Sequence, residues 1–301
     1  MEKIKVAIFG MGNLGNACKQ IIEERHDEFE LIQTFNRQNA DTVDEYKDKV
    51  DVMLLCVGSA VDAPIIAPNL ARDFSTVDSF DTHAKLFDYM ESIKRSQGKS
   101  RVSIVGAGWD PGLMSVMRLY FRSALPNAMH ESYWGVGVSL GHTNVLKKVN
   151  GIIDAIQFTI PNKKTMNKTR KGESVCSNKK HIRHCYIVAD KAEHKRIERE
   201  IKGIPNYFAP YKTIVKFVSI DEFNKKYKNR REHAGCVITS SGDINIEFNV
   251  SMLSNPHFTA SAMIANTVAC YNIQKEGQSG VFTVADIAPK YLFRKDILGL
   301  I

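Results

Sequence analysis

Apolar positions in the first third of the chain come in short runs separated by stretches of helical spacing. Ile4-Lys5-Val6-Ala7-Ile8-Phe9 leads straight into Gly10-Met11-Gly12-Asn13-Leu14-Gly15, and helical periodicity follows. Further runs at residues 30–35, 51–57, 75–77 and 101–105 read as strands with helices between them. That alternation predicts an α/β fold with a doubly wound, Rossmann-like parallel sheet. Near Gly106–Gly112 the rhythm breaks. Longer β-like stretches follow at 133–138, 152–160, 181–189, 211–220, 236–240 and 244–252, and they predict a second, α+β region with a mixed sheet. Asn255-Pro256 then reads as an N-cap and first helical residue, opening a helix that stops at Gly277. The expected division is residues 1–112 with a C-terminal return at 257–301, and residues 113–256 between.

The glycines of the first turn have separate physical duties. Gly10 allows the tight turn, Gly12 lets a pyrophosphate approach the backbone, and Gly15 lets the next helix pack closely. Together with Met11, Asn13 and Leu14 they predict a dinucleotide site in which phosphate oxygens meet free helix N–H groups. After the second strand, where an NAD enzyme usually places an acid, the chain has Asn36-Arg37-Gln38. No carboxylate there repels a 2′-phosphate, and Arg37 can fork onto one, so NADP is the expected cofactor.

Composition narrows the class. With 301 residues and 44% hydrophobic content the chain can bury a substantial core. No secretory leader pattern and no apolar stretch of about 18 residues occur, so a cytoplasmic protein with no membrane partner is expected. Six scattered cysteines without a CxxC pair read as free thiols. His181, His184, Cys185 and Cys176 hold zinc-type atoms, but His184 and Cys185 are adjacent in a strand and face opposite ways, so no metal is expected. The net charge of +8 is concentrated: residues 161–233 hold 20 Lys and Arg against 8 Asp and Glu. With no nucleic-acid module apparent, this reads as a solvated face that also attracts carboxylates, and no nucleic-acid partner is expected.

Ligands of open α/β sheets lie beyond the carboxyl ends of the strands. Three segments qualify there: Cys56-Val57-Gly58-Ser59-Ala60, Val77-Asp78-Ser79-Phe80-Asp81 and Gly106-Ala107-Gly108-Trp109-Asp110-Pro111-Gly112. In the last, Asp110 is expected to cap a helix whose first residue is Pro111. Asp78 and Asp110 also read as an acidic corner able to hold an ammonium group.

At this point the chain resembles the meso-diaminopimelate D-dehydrogenase family over nearly its whole length. The likeness rests on the first glycine turn, Leu55-Cys56-Val57-Gly58-Ser59-Ala60, Thr76-Val77-Asp78, Gly108-Trp109-Asp110-Pro111-Gly112, Tyr133-Trp134-Gly135, Gly141-His142, Cys185-Tyr186-Ile187-Val188-Ala189-Asp190, Val237-Ile238-Thr239, Asn255-Pro256-His257-Phe258-Thr259-Ala260-Ser261 and Gly277-Gln278-Ser279-Gly280. It implies NADP-dependent, reversible oxidative deamination at the D centre of meso-diaminopimelate, in a homodimer. The resemblance places Asp78, Asp110, Trp134, Leu140, Gly141, Thr159, Arg183, His233 and Asn255 at the substrate, with Asp78 or Asp110 as base or ammonium partner. It adds Cys56, Gly58, Ser59, Ala60, Asp78, Ala107, Gly108, Trp109, Asp110 and Pro111 to the cofactor residues. Three departures from the family pattern stand out: Leu140 where glutamine is frequent, Gln38 where a second arginine is common, and Gly106-Ala107-Gly108 where Ser-Thr-Gly is usual. Competing readings are a sugar or broad D-amino acid dehydrogenase and a non-catalytic NADP sensor that binds nucleic acid. The Glu-Lys-Pro of sugar dehydrogenases is missing here.

Overall fold

The computed structural model describes residues 2–294 and 297–300. The chain divides into two compact units, residues 1–119 with 256–301, and residues 120–255. In chain order the first stretch contains β1 (Ile4–Phe9), α1 (Asn13–Glu24), β2 (Phe29–Phe35), β3 (Val52–Leu55), α2 (Ala63–Leu70), β4 (Thr76–Asp78), α3 (Leu86–Ser96), β5 (Val102–Val105) and α4 (Leu113–Ala124). The middle contains β6 (Met129–Trp134), β7 (Gly137–Val138), α5 (Leu140–Leu146), β8 (Ile152–Pro161), α6 (Lys163–Arg170), β9 (His181–Ala189), α7 (His194–Gly203), β10 (Lys212–Phe217), α8 (Ile220–Lys226), β11 (His233–Ser240) and β12 (Asn245–Met252). The last stretch returns to the first unit with α9 (Asn255–Lys275) and β13 (Gly280–Thr283).

The first unit is a parallel sheet in the order β13-β5-β4-β3-β1-β2. Because successive strand residues face opposite ways, each strand feeds two cores. Val6, Ile8 and Leu54 face Cys18, Ile22, Met263 and Ile264 on α1 and α9. Ala7, Met53 and Leu55 face Ala67, Leu70, Tyr89 and Ile93 on α2 and α3. Apolar side chains on both faces make these strands read as near-continuous hydrophobic runs. β13 was not foreseen: four half-buried residues at a sheet edge carry no alternation to distinguish them from a loop.

The second unit holds the mixed sheet expected and a second, antiparallel sheet that was not foreseen. One, β10-β9-β8-β7, pairs β10 and β9 in parallel and the rest antiparallel; the other, β12-β11-β6, is antiparallel. The expected strand 133–138 is broken at Gly135, whose φ of +103° turns the chain out of extended conformation. The expected strand 211–220 stops at Phe217, because the Ser219 hydroxyl accepts the Glu222 N–H at 3.1 Å and starts α8.

Two expected helix starts are also corrected. α4 begins at Leu113, so Pro111 is not its first residue and Asp110 is not its cap. The intervening Gly112 has φ +136°, outside helical conformation. α9 takes in Asn255 as its first residue, so Asn255 lies inside the helix instead of capping it. No helix among the described residues is long and apolar enough to cross a membrane.

Candidate active site

In the first unit the glycine turn after β1 is shaped by contacts that only glycine permits. Gly10 has φ +102°, and a Cβ there would lie 2.5 Å from the Cys56 carbonyl oxygen. A Cβ on Gly15 would overlap the Gly10 carbonyl, so α1 sits directly on the turn. Asn16 fastens the loop through Nδ2, donating to the carbonyls of Met11 at 3.2 Å and Gly12 at 3.0 Å. A Cβ on Gly12, by contrast, would meet nothing within 4 Å. No side chain caps α1, so its first N–H groups remain available to an anion.

Beyond β2, Asn36 and Asn39 close a small turn: the Gln38 N–H donates to Asn36 Oδ1 at 2.7 Å, and the Asn36 N–H to Asn39 Oδ1 at 2.8 Å. Arg37 projects from this turn, exposed. At the end of β3, Ser59 Oγ accepts the Asp81 N–H at 3.3 Å, tying that loop to the one after β4.

The side chains of the two candidate acids, Asp78 and Asp110, are both buried. Asp78 is 2% exposed, and its carboxylate accepts from the N–H groups of Phe80 at 2.9 Å and Gly106 at 3.1 Å and from the Tyr89 hydroxyl at 2.7 Å. Of its roughly four acceptor positions, one is left. Burial pushes its acidity toward weaker ionisation, and the three hydrogen bonds oppose that. Asp78 therefore clamps the turn after β5 to β4, a structural duty its position in the sequence did not reveal. Asp110 is ion-paired with Arg118, which also donates to Ser115 Oγ at 3.1 Å. The turn that carries it closes because Gly112 abuts the Gly108 backbone, and Ala107 N–H donates to the Asp78 carbonyl at 2.7 Å. Trp109 and Pro111 lie in the same turn.

In the second unit, residues distant in sequence form one row across neighbouring strands. Arg183 on β9 pairs in register with Thr159 on β8, and Thr159 with Gly137 on β7. A Cβ on Gly137 would lie 2.9 Å from the Cα of His233, at the start of β11. Arg183 is 8% exposed; one guanidinium nitrogen donates to Thr159 Oγ1 at 2.8 Å, Tyr211 stacks 4.3 Å from it, and Nε has no partner. No carboxylate pairs with it among the described residues. Burial holds this guanidinium below the usual arginine range, though still cationic. Burial first, and then the Arg183 charge, push His142 down to about 4, so that ring is neutral near pH 7.

Trp134, at the end of β6, is partly exposed, with its ring tilted against His181 at 5.5 Å. Leu140 and Gly141 open α5, Leu140 being 55% exposed. His233 donates its Nδ1–H to the Arg231 carbonyl at 2.9 Å, and Asn255 closes the unit. Among the described residues no group of three or more His, Cys, Asp and Glu side chains could hold a metal.

Residues 108–253 match the diaminopimelic acid dehydrogenase C-terminal domain family. A meso-diaminopimelate D-dehydrogenase of Acetivibrio thermocellus is 39% identical over 98% of this chain and 96% of its own length. The chain belongs to the meso-diaminopimelate D-dehydrogenase family. A Corynebacterium glutamicum member is 36% identical over 100% of this chain and 99% of its own. Two solved structures of this kind are similar throughout. The Corynebacterium glutamicum DAP dehydrogenase in complex with DAP covers 100% of this chain and 98% of its own, with TM-score 0.86 and 34% identity. An engineered D-amino acid dehydrogenase bound to NADP+ covers 99% and 98%, with TM-score 0.80 and 33% identity.

The first unit of this family member fits a dinucleotide: the space beyond Gly12 and the uncapped start of α1 make a cradle that a side chain would fill. Tyr89 and Tyr211 escaped the sequence reading, and His142 entered it only within a family motif, with no role assigned. Each acts through a neighbour distant in sequence, and no spacing rule links them to Asp78 or Arg183.

Proposed function

We propose that this protein oxidises the D centre of meso-2,6-diaminopimelate with NADP, giving L-2-amino-6-oxopimelate and ammonium, and runs the reverse reductive amination. The observation that carries this reading is Arg183, a buried cation with a free Nε and no carboxylate in the described chain. Such a group is costly unless an anion from outside completes it. The full-length relatives named for this activity supply the substrate that would do so.

Arg183 and Thr159 are assigned to a substrate carboxylate, with His233 and Asn255 adding hydrogen bonds and Trp134 an apolar surface. Asp110 is assigned to the ammonium of the reacting centre, on a turn clamped by Asp78, whose own carboxylate is taken up by Phe80, Gly106 and Tyr89. A carboxylate there removes one ammonium proton, because hydride departs readily only from a neutral amine. Residues 10–15 would hold NADP and Arg37 its 2′-phosphate, and the bound cofactor would supply the hydride acceptor. Water then adds to the imine carbon and the carbon–nitrogen bond breaks, releasing ammonium. In total one substrate ammonium group, one NADP+ and one water give one oxo acid, one ammonium, one NADPH and one proton.

The reading extends to a cytoplasmic homodimer associating through residues 120–255, with no nucleic-acid partner. In support of the last point, many cations of the basic region are already neutralised, as in Arg170–Glu247, Arg196–Glu200, Lys202–Glu198 and Lys226–Glu222. Light scattering on the eluting protein tests the dimer.

The activity is tested by following absorbance at 340 nm with NADP and the meso, LL and DD isomers, then with NAD. NADP reduction with the meso isomer and little with LL is expected. No reduction with any isomer overturns the proposal.

A further inference from the structure

A cleft of about 580 Å³ opens in the second unit between α6, the loop before β9, and the first residues of β9 and β10. It lies outside the row formed by Arg183, Thr159 and His233, none of which lines it. Four lysines do, Lys164, Lys168, Lys179 and Lys212, and no aspartate or glutamate is among the lining residues. Lys168 reaches Glu173 at 3.4 Å; the other three have no ion-pair partner among the described residues. Exposed lysines alone would be an ordinary solvated face, but a buried donor accompanies them here. His181 is 5% exposed and lines the same cleft. Its Nε2 accepts the Trp134 backbone N–H at 2.9 Å. Burial first, then the charges of Arg183 and Lys180, push this ring down to about 3, so it is neutral at ordinary pH. With Nε2 accepting, the ring proton resides on Nδ1, where it has no protein partner among the described residues.

We propose that this cleft binds a small phosphate-bearing molecule with an apolar frame. The phosphate falls to the lysines and to His181 Nδ1–H, and the frame to the floor provided by Val175, Ile182 and Pro210. Phosphate is favoured over carboxylate because the lining contains no arginine. Lysines act as mobile point charges suited to phosphate oxygens, whereas paired recognition of a planar carboxylate draws on the guanidinium fork. The volume falls within the range of small-molecule pockets and exceeds what a bare phosphate ion would fill. The site is separate from the proposed reaction. It still touches its machinery at one point, since His181 holds the backbone of Trp134 and lies two residues before Arg183 on β9.

The test is calorimetric titration of the full-length protein with AMP, inorganic phosphate and adenosine, comparing wild type with Lys164→Ala/Lys212→Ala. The expected result is saturable AMP binding that weakens at least tenfold in the double variant, weakens with added salt, and is at least tenfold tighter than that of either phosphate or adenosine. The imidazole resonances of His181 should shift with AMP in the wild type and not in the double variant. AMP binding unchanged in the double variant places the nucleotide elsewhere, such as the glycine turn, and overturns the proposal, as does an absence of saturable binding. Phosphate binding as tightly as AMP overturns the assignment of an apolar frame. None of these readouts depends on dehydrogenase activity, so failure here and failure of the proposed reaction are distinguishable.

Discussion

The glycine turn of the first unit and the polar row of the second are built from different materials. The turn is made of backbone: missing side chains, positive φ angles and uncapped N–H groups create it, and Gly10, Gly12 and Gly15 sit within six residues of one another. The row is made of side chains carried by β8, β9 and β11, with Gly137 of β7 letting the third approach the first two. A backbone site tolerates little change in what surrounds it but is local. A side-chain site is exposed to loss at single positions and depends on strand register across the unit.

The largest expected effect is at Arg183. Replacing it with methionine removes the charge that awaits a carboxylate, and kcat/KM for meso-diaminopimelate should fall about a hundredfold or more. Stability should not fall with it, because an uncompensated buried charge is relieved. A thermal midpoint that drops sharply together with activity would instead make Arg183 a structural residue.

The glycine turn gives a paired contrast. Gly15→Ala forces α1 away from the Gly10 carbonyl and should cost about 1–3 kcal/mol of stability, read by urea unfolding. Gly12→Ala meets no protein atom, so its unfolding midpoint should match the wild type while the KM for NADP rises roughly tenfold, the worth of about one charge-assisted hydrogen bond. Equal destabilisation by both would mean that Gly12 serves the fold and not a ligand. Arg37→Ala should reduce the ratio of kcat/KM for NADP over NAD by about tenfold, and an unchanged ratio would remove Arg37 from the cofactor site.

The smallest effect concerns pH. His142 titrates near 4 in the folded protein, against about 6.5 unfolded. Between those values the unfolded chain binds a proton that the folded chain does not. The stability linked to neutral His142 is therefore complete above about 6.5 and is lost as pH falls toward 4. His142→Asn should make that decline shallower in urea midpoints measured from pH 7 to 5, the remainder belonging to His181, which burial holds down to about 3. A decline as steep as in the wild type would assign the acid sensitivity to other groups.

Much of this molecule could be read before its structure was known, but unevenly. Strands β1 to β5 were visible because their burial leaves short, mostly apolar runs between stretches of helical spacing. β13 was not, since an edge strand of four half-buried residues carries too little pattern. Asp110 was expected to cap α4, yet Gly112 at φ +136° delays the helix to Leu113 and leaves the aspartate to Arg118. Asp78 was recognisable as an acid beyond a strand. That its carboxylate is already occupied by Phe80, Gly106 and Tyr89 depends on a loop and a helix arriving from elsewhere in the chain.

The sequence by itself determined the dinucleotide turn, the absence of an acid after β2, and the motifs that mark the family, because each is carried by residues adjacent in the chain and by local backbone chemistry. Only the tertiary structure decided that Arg183 is buried beside Thr159 and against Tyr211, that no carboxylate among the described residues answers it, and that His142 is neutral. Burial and pairing are properties of the space around a side chain, and that space is filled by segments whose separation in sequence carries no record of their contact.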